Sequence, residues 1–150
     1  MRIEFPRHLR SRMRRQLLLA GRREIGGVLM GEQLAPGHFR IIEFTTDSNN
    51  GSDCHFLRRP EHHREALEAF FVRTGSDFRR FNYLGEWHSH PSFPVKPSQP
   101  DVNAMRQLVE DEPDIDFSVL LIVRCRWRLR LESCAFLFQR GGYQSEVEIV

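Results

Sequence analysis

The sequence predicts an α/β sandwich in which three helices pack on a mixed sheet, within a single domain over residues 1–150. Three observations carry this expectation. Apolar residues recur at helical spacing in three separate stretches, and apolar or alternating runs of strand length lie between them. The last strong strands, Phe117–Val123 and Leu129–Phe138, are separated by a short connection, so the sheet is not purely parallel.

The elements follow in order. Ile3–Phe5 opens a strand, and Pro6 suits the start of a helix. Leu9, Met13, Leu17 and Ala20 then place a helix over residues 7–20, stopped by Gly21. Ile25–Met30 and Phe39–Phe44 read as strands, and the turn-rich residues 45–59 as the longest loop. Pro60 starts a second helix with Leu67, Phe70, Phe71, Thr74 and Phe78 on one face. Tyr83–His88 is a strand, residues 91–97 (PSFPVKP) a stiff loop, and Ser98–Glu110 a third helix with Val102, Met105 and Val109 turned inward. Phe117–Val123 is apolar enough for a sheet centre, Leu129–Phe138 is its neighbour, and the tail from Tyr143 adds an edge strand.

Composition narrows the function. Hydrophobic residues make up 40% and charged residues 28%, values of a soluble globular chain. No apolar run reaches the length of a membrane span and no secretory signal is visible, so the expected location is the cytoplasm. A net charge of +2 gives no general attraction to nucleic acid. Eight arginines crowd the first 23 residues, and without interleaved aromatics they read as the solvated face of the first helix. Lys96 is the single lysine beside 21 arginines, which coding bias explains. Cys54, Cys125 and Cys134 have no C-x-x-C spacing and read as free thiols.

The chemistry concentrates in GEWHSHPSFPVKPSQPD, residues 85–101. His88 and His90 stand two apart at a strand end, so both imidazoles leave one face. The proline-rich loop brings Asp101 back in the first turn of the next helix. Two histidines and a carboxylate form a three-ligand zinc set, one ion per chain, with the fourth tetrahedral position open as catalytic sites require. A general base is also needed. Glu86 shares strand parity with the histidines, whereas Glu24 reaches them only through the fold; parity alone slightly favours Glu86. Ser98-x-x-Asp101 also reads as a capping box, a role compatible with one at the metal.

Residues 85–101 and 23–31 together resemble the JAMM/MPN+ metalloprotease family, whose motif is a distant glutamate followed by H-x-H-x7-S-x2-D. His88, His90, Ser98 and Asp101 match every spacing, and Glu24 before Ile25-Gly26-Gly27 matches the glutamate's context. The resemblance implies a cytidine-deaminase-like three-layer α/β/α sandwich. It also implies zinc on His88, His90 and Asp101, Glu24 as base and Ser98 as oxyanion donor. Trp87 and Phe93 are candidates to wall a substrate tail, with core packing as their alternative. The family resemblance further implies hydrolysis of peptide or isopeptide bonds at the C-terminus of a ubiquitin-like protein. E1-like and E2-like operon partners, including antiphage systems, or sulfur-carrier processing would be the setting. A zinc-binding scaffold without turnover and a small-peptide hydrolase are the competing expectations.

Overall fold

The computed structural model describes residues 1–47, 51–52, 55–56, 60–127 and 130–150. Its elements are β1 (Arg2–Glu4), α1 (Arg7–Ala20), β2 (Gly26–Ala35), β3 (His38–Phe44), β4 (Gly51–Ser52), β5 (His55–Phe56), α2 (Pro60–Arg73), β6 (Phe81–Ser89), α3 (Gln99–Asp111), β7 (Phe117–Arg126), β8 (Arg130–Gln139) and β9 (Gln144–Ile149). All three expected helices and the expected mixed sheet are present. Cys54 lies outside the described residues, as does part of the 45–59 loop, within which β4 and β5 pair as a small antiparallel ribbon.

The layering differs from a three-layer sandwich. Seven strands close into a barrel in the order β1-β3-β2-β6-β7-β8-β9. The reason is β1, which pairs parallel with β3 through Arg2↔His38 and with β9 through Arg2↔Glu148, so the tail is a closing strand and not an edge. Closure removes the open edges that a flat sheet leaves unpaired.

Strand alternation sorts the apolar residues into two cores. Ile3, Leu29, Ile41, Trp87, Leu121, Leu137 and Val147, one from each barrel strand, meet Leu9, Met13 and Leu17 of α1 in the larger core. On the other face, Met105, Leu108 and Val109 of α3 pack on Leu120, Ile122 and Phe138. α2 contacts β2 and β6. Phe78 falls beyond α2, where its ring meets Phe71 at 5.1 Å and it stays largely exposed.

The arginine-rich face of α1 is only partly a solvated surface. Arg10 donates to the Phe5 and Val150 carbonyls, and Arg12 donates to the Phe44 carbonyl and lies 4.0 Å from that ring's centre. Cys125 and Cys134 are free thiols, and burial together with Glu146 pushes Cys134 up to about 11. No helix among the described residues is long and apolar enough to cross a membrane.

Two glycines allow the central strands to approach. A Cβ at Gly27 would stand 2.2 Å from the Thr45 carbonyl oxygen, and one at Gly85 would stand 2.0 Å from that of Val119. The second marks a register shift in β6 between Gly85 and Tyr83, opposite Leu29 and Met30. The unshifted end of β6 carries the histidines.

Candidate active site

β6 runs parallel to β7 and antiparallel to β2, with His88 level with Ile122 on one side and Gly26 on the other. His90 follows the strand end, and its backbone N–H still donates to the Val123 carbonyl at 2.9 Å. Both imidazoles are buried, at 7% exposure each, a low value for groups that must either bond or ligate. Their Nε2 atoms stand 2.9 Å apart.

The loop then turns back. Val95 packs on the α3 core, and Ser98 caps α3. Ser98 N–H and Oγ–H each donate to Asp101 Oδ2 at 2.7 Å, while Ser98 Oγ accepts from Asp101 N–H at 3.3 Å. This capping box fixes the carboxylate and leaves Oδ1 turned to His88 Nε2 at 3.5 Å; Oδ2 lies 3.7 Å from His90 Nε2. Burial raises the Asp101 carboxyl, but His88 and the Ser98 bonds outweigh it and hold the group well below the usual carboxylate range. Asp101 is therefore an anion at neutral pH.

His90 Nδ1 lies 2.8 Å from the Pro94 carbonyl oxygen. A carbonyl can only accept, so Nδ1 carries the proton and Nε2 of the neutral ring presents its lone pair inward. A ligating histidine is oriented in this way by its second nitrogen.

The donor set fits a small cation. One ligand atom from each of His88, His90 and Asp101 lies within 4.8 Å of the others. A tetrahedral zinc site with bonds of about 2.0–2.1 Å has edges of roughly 3.3–3.4 Å. His88 Nε2 stands 2.9 Å from His90 Nε2 and 3.5 Å from Asp101 Oδ1, either side of that value, while His90 Nε2 lies 3.7 Å from the other carboxylate oxygen, Oδ2. Two nitrogen donors and one carboxylate oxygen suit zinc better than the all-oxygen preference of calcium or magnesium.

Glu24 lies two residues before β2, on the stretch that joins the end of β6. The α1 helix ends at Gly21, and two residues after Arg23 the chain is already bonded to β6: Ser89 N–H donates to the Ile25 carbonyl at 2.8 Å, and Ile25 N–H donates to Ser89 Oγ at 3.0 Å. Continuing the Gly26↔His88 register makes Glu24 level with His90 and on its face, and Glu24 is buried at 5% exposure. Glu86 shares that face but lies level with Val28 and Leu120, one pleat behind His88.

The remaining sequence candidates separate. Phe93 is half exposed beside the site, edge-on to His90 with centroids 6.4 Å apart. Trp87 does not wall the site. It is fully buried on the opposite face, packed edge-on against Phe44, with Nε1–H donating to the Thr45 carbonyl at 2.8 Å. Strand alternation is the cause, since a residue between Glu86 and His88 must point the other way. Sequence reasoning missed Ser89, whose hydroxyl splices β2 to β6 beside Glu24, and Asp47, buried and bonded through its N–H to the Gly26 carbonyl at 2.7 Å. The position of Ser89 between the two histidines was the available signal; Asp47 had none.

A family model described as prokaryotic homologs of the JAB domain matches residues 6–132. The chain belongs to the JAMM/MPN family. Among curated proteins, it is 32% identical over 104 residues to a CD-NTase/cGAS isopeptidase of Vibrio cholerae, a match covering 67% of this chain and 60% of that protein. The chain thus spans less than two thirds of that relative. The fold is shared with a Desulfitobacterium hafniense protein at TM-score 0.74 and 21% identity, covering 99% of this chain and 91% of that one. A JAB1/MPN domain protein from Archaeoglobus fulgidus gives a TM-score of 0.50 at 20% identity, covering 100% of this chain and 97% of that one.

Proposed function

We propose that this JAMM/MPN chain is a zinc-dependent isopeptidase that cleaves at the C-terminus of a ubiquitin-like protein. The convergence of His88 Nε2, His90 Nε2 and an Asp101 carboxylate oxygen is the observation that carries the reading. Zinc held there supplies Lewis acidity, lowering the pKa of a water to about 7 and polarising a scissile carbonyl.

The chain's own residues supply the rest. Pro94 holds the His90 tautomer, and Ser98 holds the Asp101 carboxylate, so the donors are oriented beforehand. Glu24, level with His90, takes the proton from the attacking water and returns it to the leaving amine. Ser98 Oγ–H supports the developing oxyanion after turning from Asp101 Oδ2, and its backbone N–H keeps that oxygen bonded meanwhile. Phe93 lines the approach for an extended tail.

The Vibrio cholerae relative is named for isopeptide cleavage on a CD-NTase/cGAS. That name supports a conjugate as the substrate here; E1-like and E2-like partners and an antiphage setting belong to the proposal through the family resemblance alone. The test is cleavage of ubiquitin-like fusions carrying C-terminal extensions, before and after chelation. Cleavage should stop with metal removal and return with zinc. Zinc uptake without cleavage of any fusion would favour a scaffold, and cleavage of short peptides alone would favour a small-peptide hydrolase.

A further inference from the structure

The ligand loop has little means of holding itself. Prolines at 91, 94 and 97 remove three of its seven backbone donors, and its internal bond, Lys96 N–H to the Pro94 carbonyl at 2.8 Å, is local. Yet the loop must keep the Pro94 carbonyl at His90 Nδ1. The polar tie from the barrel is Arg124, near the end of β7. Its Nη1–H donates to the Phe93 carbonyl at 3.1 Å, one peptide before Pro94. Its other edge is taken by Glu132, its direct register partner on β8: Nε–H and Nη2–H donate to Oε2 at 3.1 and 2.5 Å. Arg126 Nη1–H donates to Glu132 Oε1 at 3.3 Å, so both carboxylate oxygens are engaged.

We infer that Arg124 and Glu132 form a clamp that positions His90 for metal binding, acting through the Phe93–Pro94 backbone; the inference rests on the metal-site reading above. Arg124 is a positioning residue and touches no reacting atom. A guanidinium suits this task because its planar fork fixes three donor directions at once, which a lysine ammonium does not. The pair is no free surface ion pair, since the two side chains are 25% and 18% exposed. The Arg124 hydrogen bond also holds the Glu132 carboxyl below its usual range, so the clamp is charged at neutral pH.

The probe is Co2+, whose visible bands report ligand geometry, titrated into the full chain. Arg124→Gln and Glu132→Gln should each weaken Co2+ binding by about tenfold, the lower end for partners outside the ligand shell, and alter the bands. Arg124→Lys should rescue only in part. Arg40→Gln, which breaks a 2.7 Å pair with Glu4 elsewhere on the barrel, should leave affinity unchanged. In metal-free protein, imidazole NMR should show His90 passing from one Nδ1–H tautomer to a mixture in Arg124→Gln and Glu132→Gln only. Wild-type affinity and an unchanged tautomer in both variants would overturn the clamp while leaving the metal site standing. Equal weakening by Arg40→Gln would also overturn it, as general loosening. A wild-type chain that takes up no Co2+ would instead overturn the metal reading, and the clamp with it.

Discussion

The two ends of the barrel differ in what their buried and half-buried polar groups face. At the end where β6 begins, opposite charges alternate. Glu4 accepts from Arg40 at 2.7 Å and lies 3.1 Å from His38 Nε2, Arg40 approaches Glu32 at 3.7 Å, and Arg80 donates to Glu32 at 2.6 and 2.9 Å. Glu4 and Glu32 each meet a cation there. Where β6 ends, His88, His90 and Asp101 instead gather three atoms able to ligate a metal. Balanced charge closes a barrel; three ligand atoms converging in a buried place suit a cation from outside.

If that contrast is right, its largest consequence is at the histidines. His88→Ala/His90→Ala should lose nearly all bound zinc, measured as metal per chain after dialysis, and all cleavage. Stoichiometric zinc in that double mutant would remove the proposed centre and make the two barrel ends alike.

A finer division lies within the reactive end, between two glutamates on one face. Glu24→Gln should keep fold and zinc but abolish cleavage of a ubiquitin-like fusion. Glu86→Gln, one pleat or about 3.3 Å per residue further from the ligands, should keep substantial activity. The reverse pattern would transfer the base to Glu86 and break the register argument that makes Glu24 level with His90.

Ser98 stands at the boundary between the two kinds of polar group, because its hydroxyl is already satisfied by Asp101. As an oxyanion donor, Ser98→Ala should lower turnover by about 10²–10³-fold. As a cap alone, the same change should cost roughly 1 kcal/mol of stability and leave turnover intact. Melting and kcat measured on one preparation separate these outcomes.

How much of this could be read beforehand follows from range. α1 was legible to the residue, because Pro6 and Gly21 punctuate an apolar period that local backbone physics enforces. The His88, His90 and Asp101 grouping was legible too, since one loop of seven residues joins its parts. Barrel closure was not: it depends on β1, three residues long, meeting β9 near the other terminus, and no local pattern encodes that pairing. Trp87 was half legible, since its parity already opposed that of His88. Glu24 needed the β2–β6 register, and Arg124 a single side-chain bond to a carbonyl 31 residues away. The ligands are a local feature; what aims them is not.

The smallest expected effect tests the balanced end. Hydrogen bonding from Arg40 lowers the Glu4 carboxyl from its ordinary 4.5, burial opposes this, and the charges of Arg40 and His38 add to the lowering. A carboxyl with a lower pKa folded than unfolded binds its proton more weakly in the folded chain. Its stabilisation is therefore complete above its unfolded value and is lost as pH falls through the lowered folded one. Metal-free wild-type protein should lose melting temperature over that acid range, and Glu4→Gln should flatten part of the slope. The change will be small because the pair is partly solvated and salt screens it. At neutral pH, Glu4→Gln should leave zinc content and cleavage unchanged, since the charges it disturbs close the barrel and do not face the ligands. Loss of zinc in Glu4→Gln without loss of fold would show that the two ends are coupled, and that charge balance at one sets the donor geometry at the other.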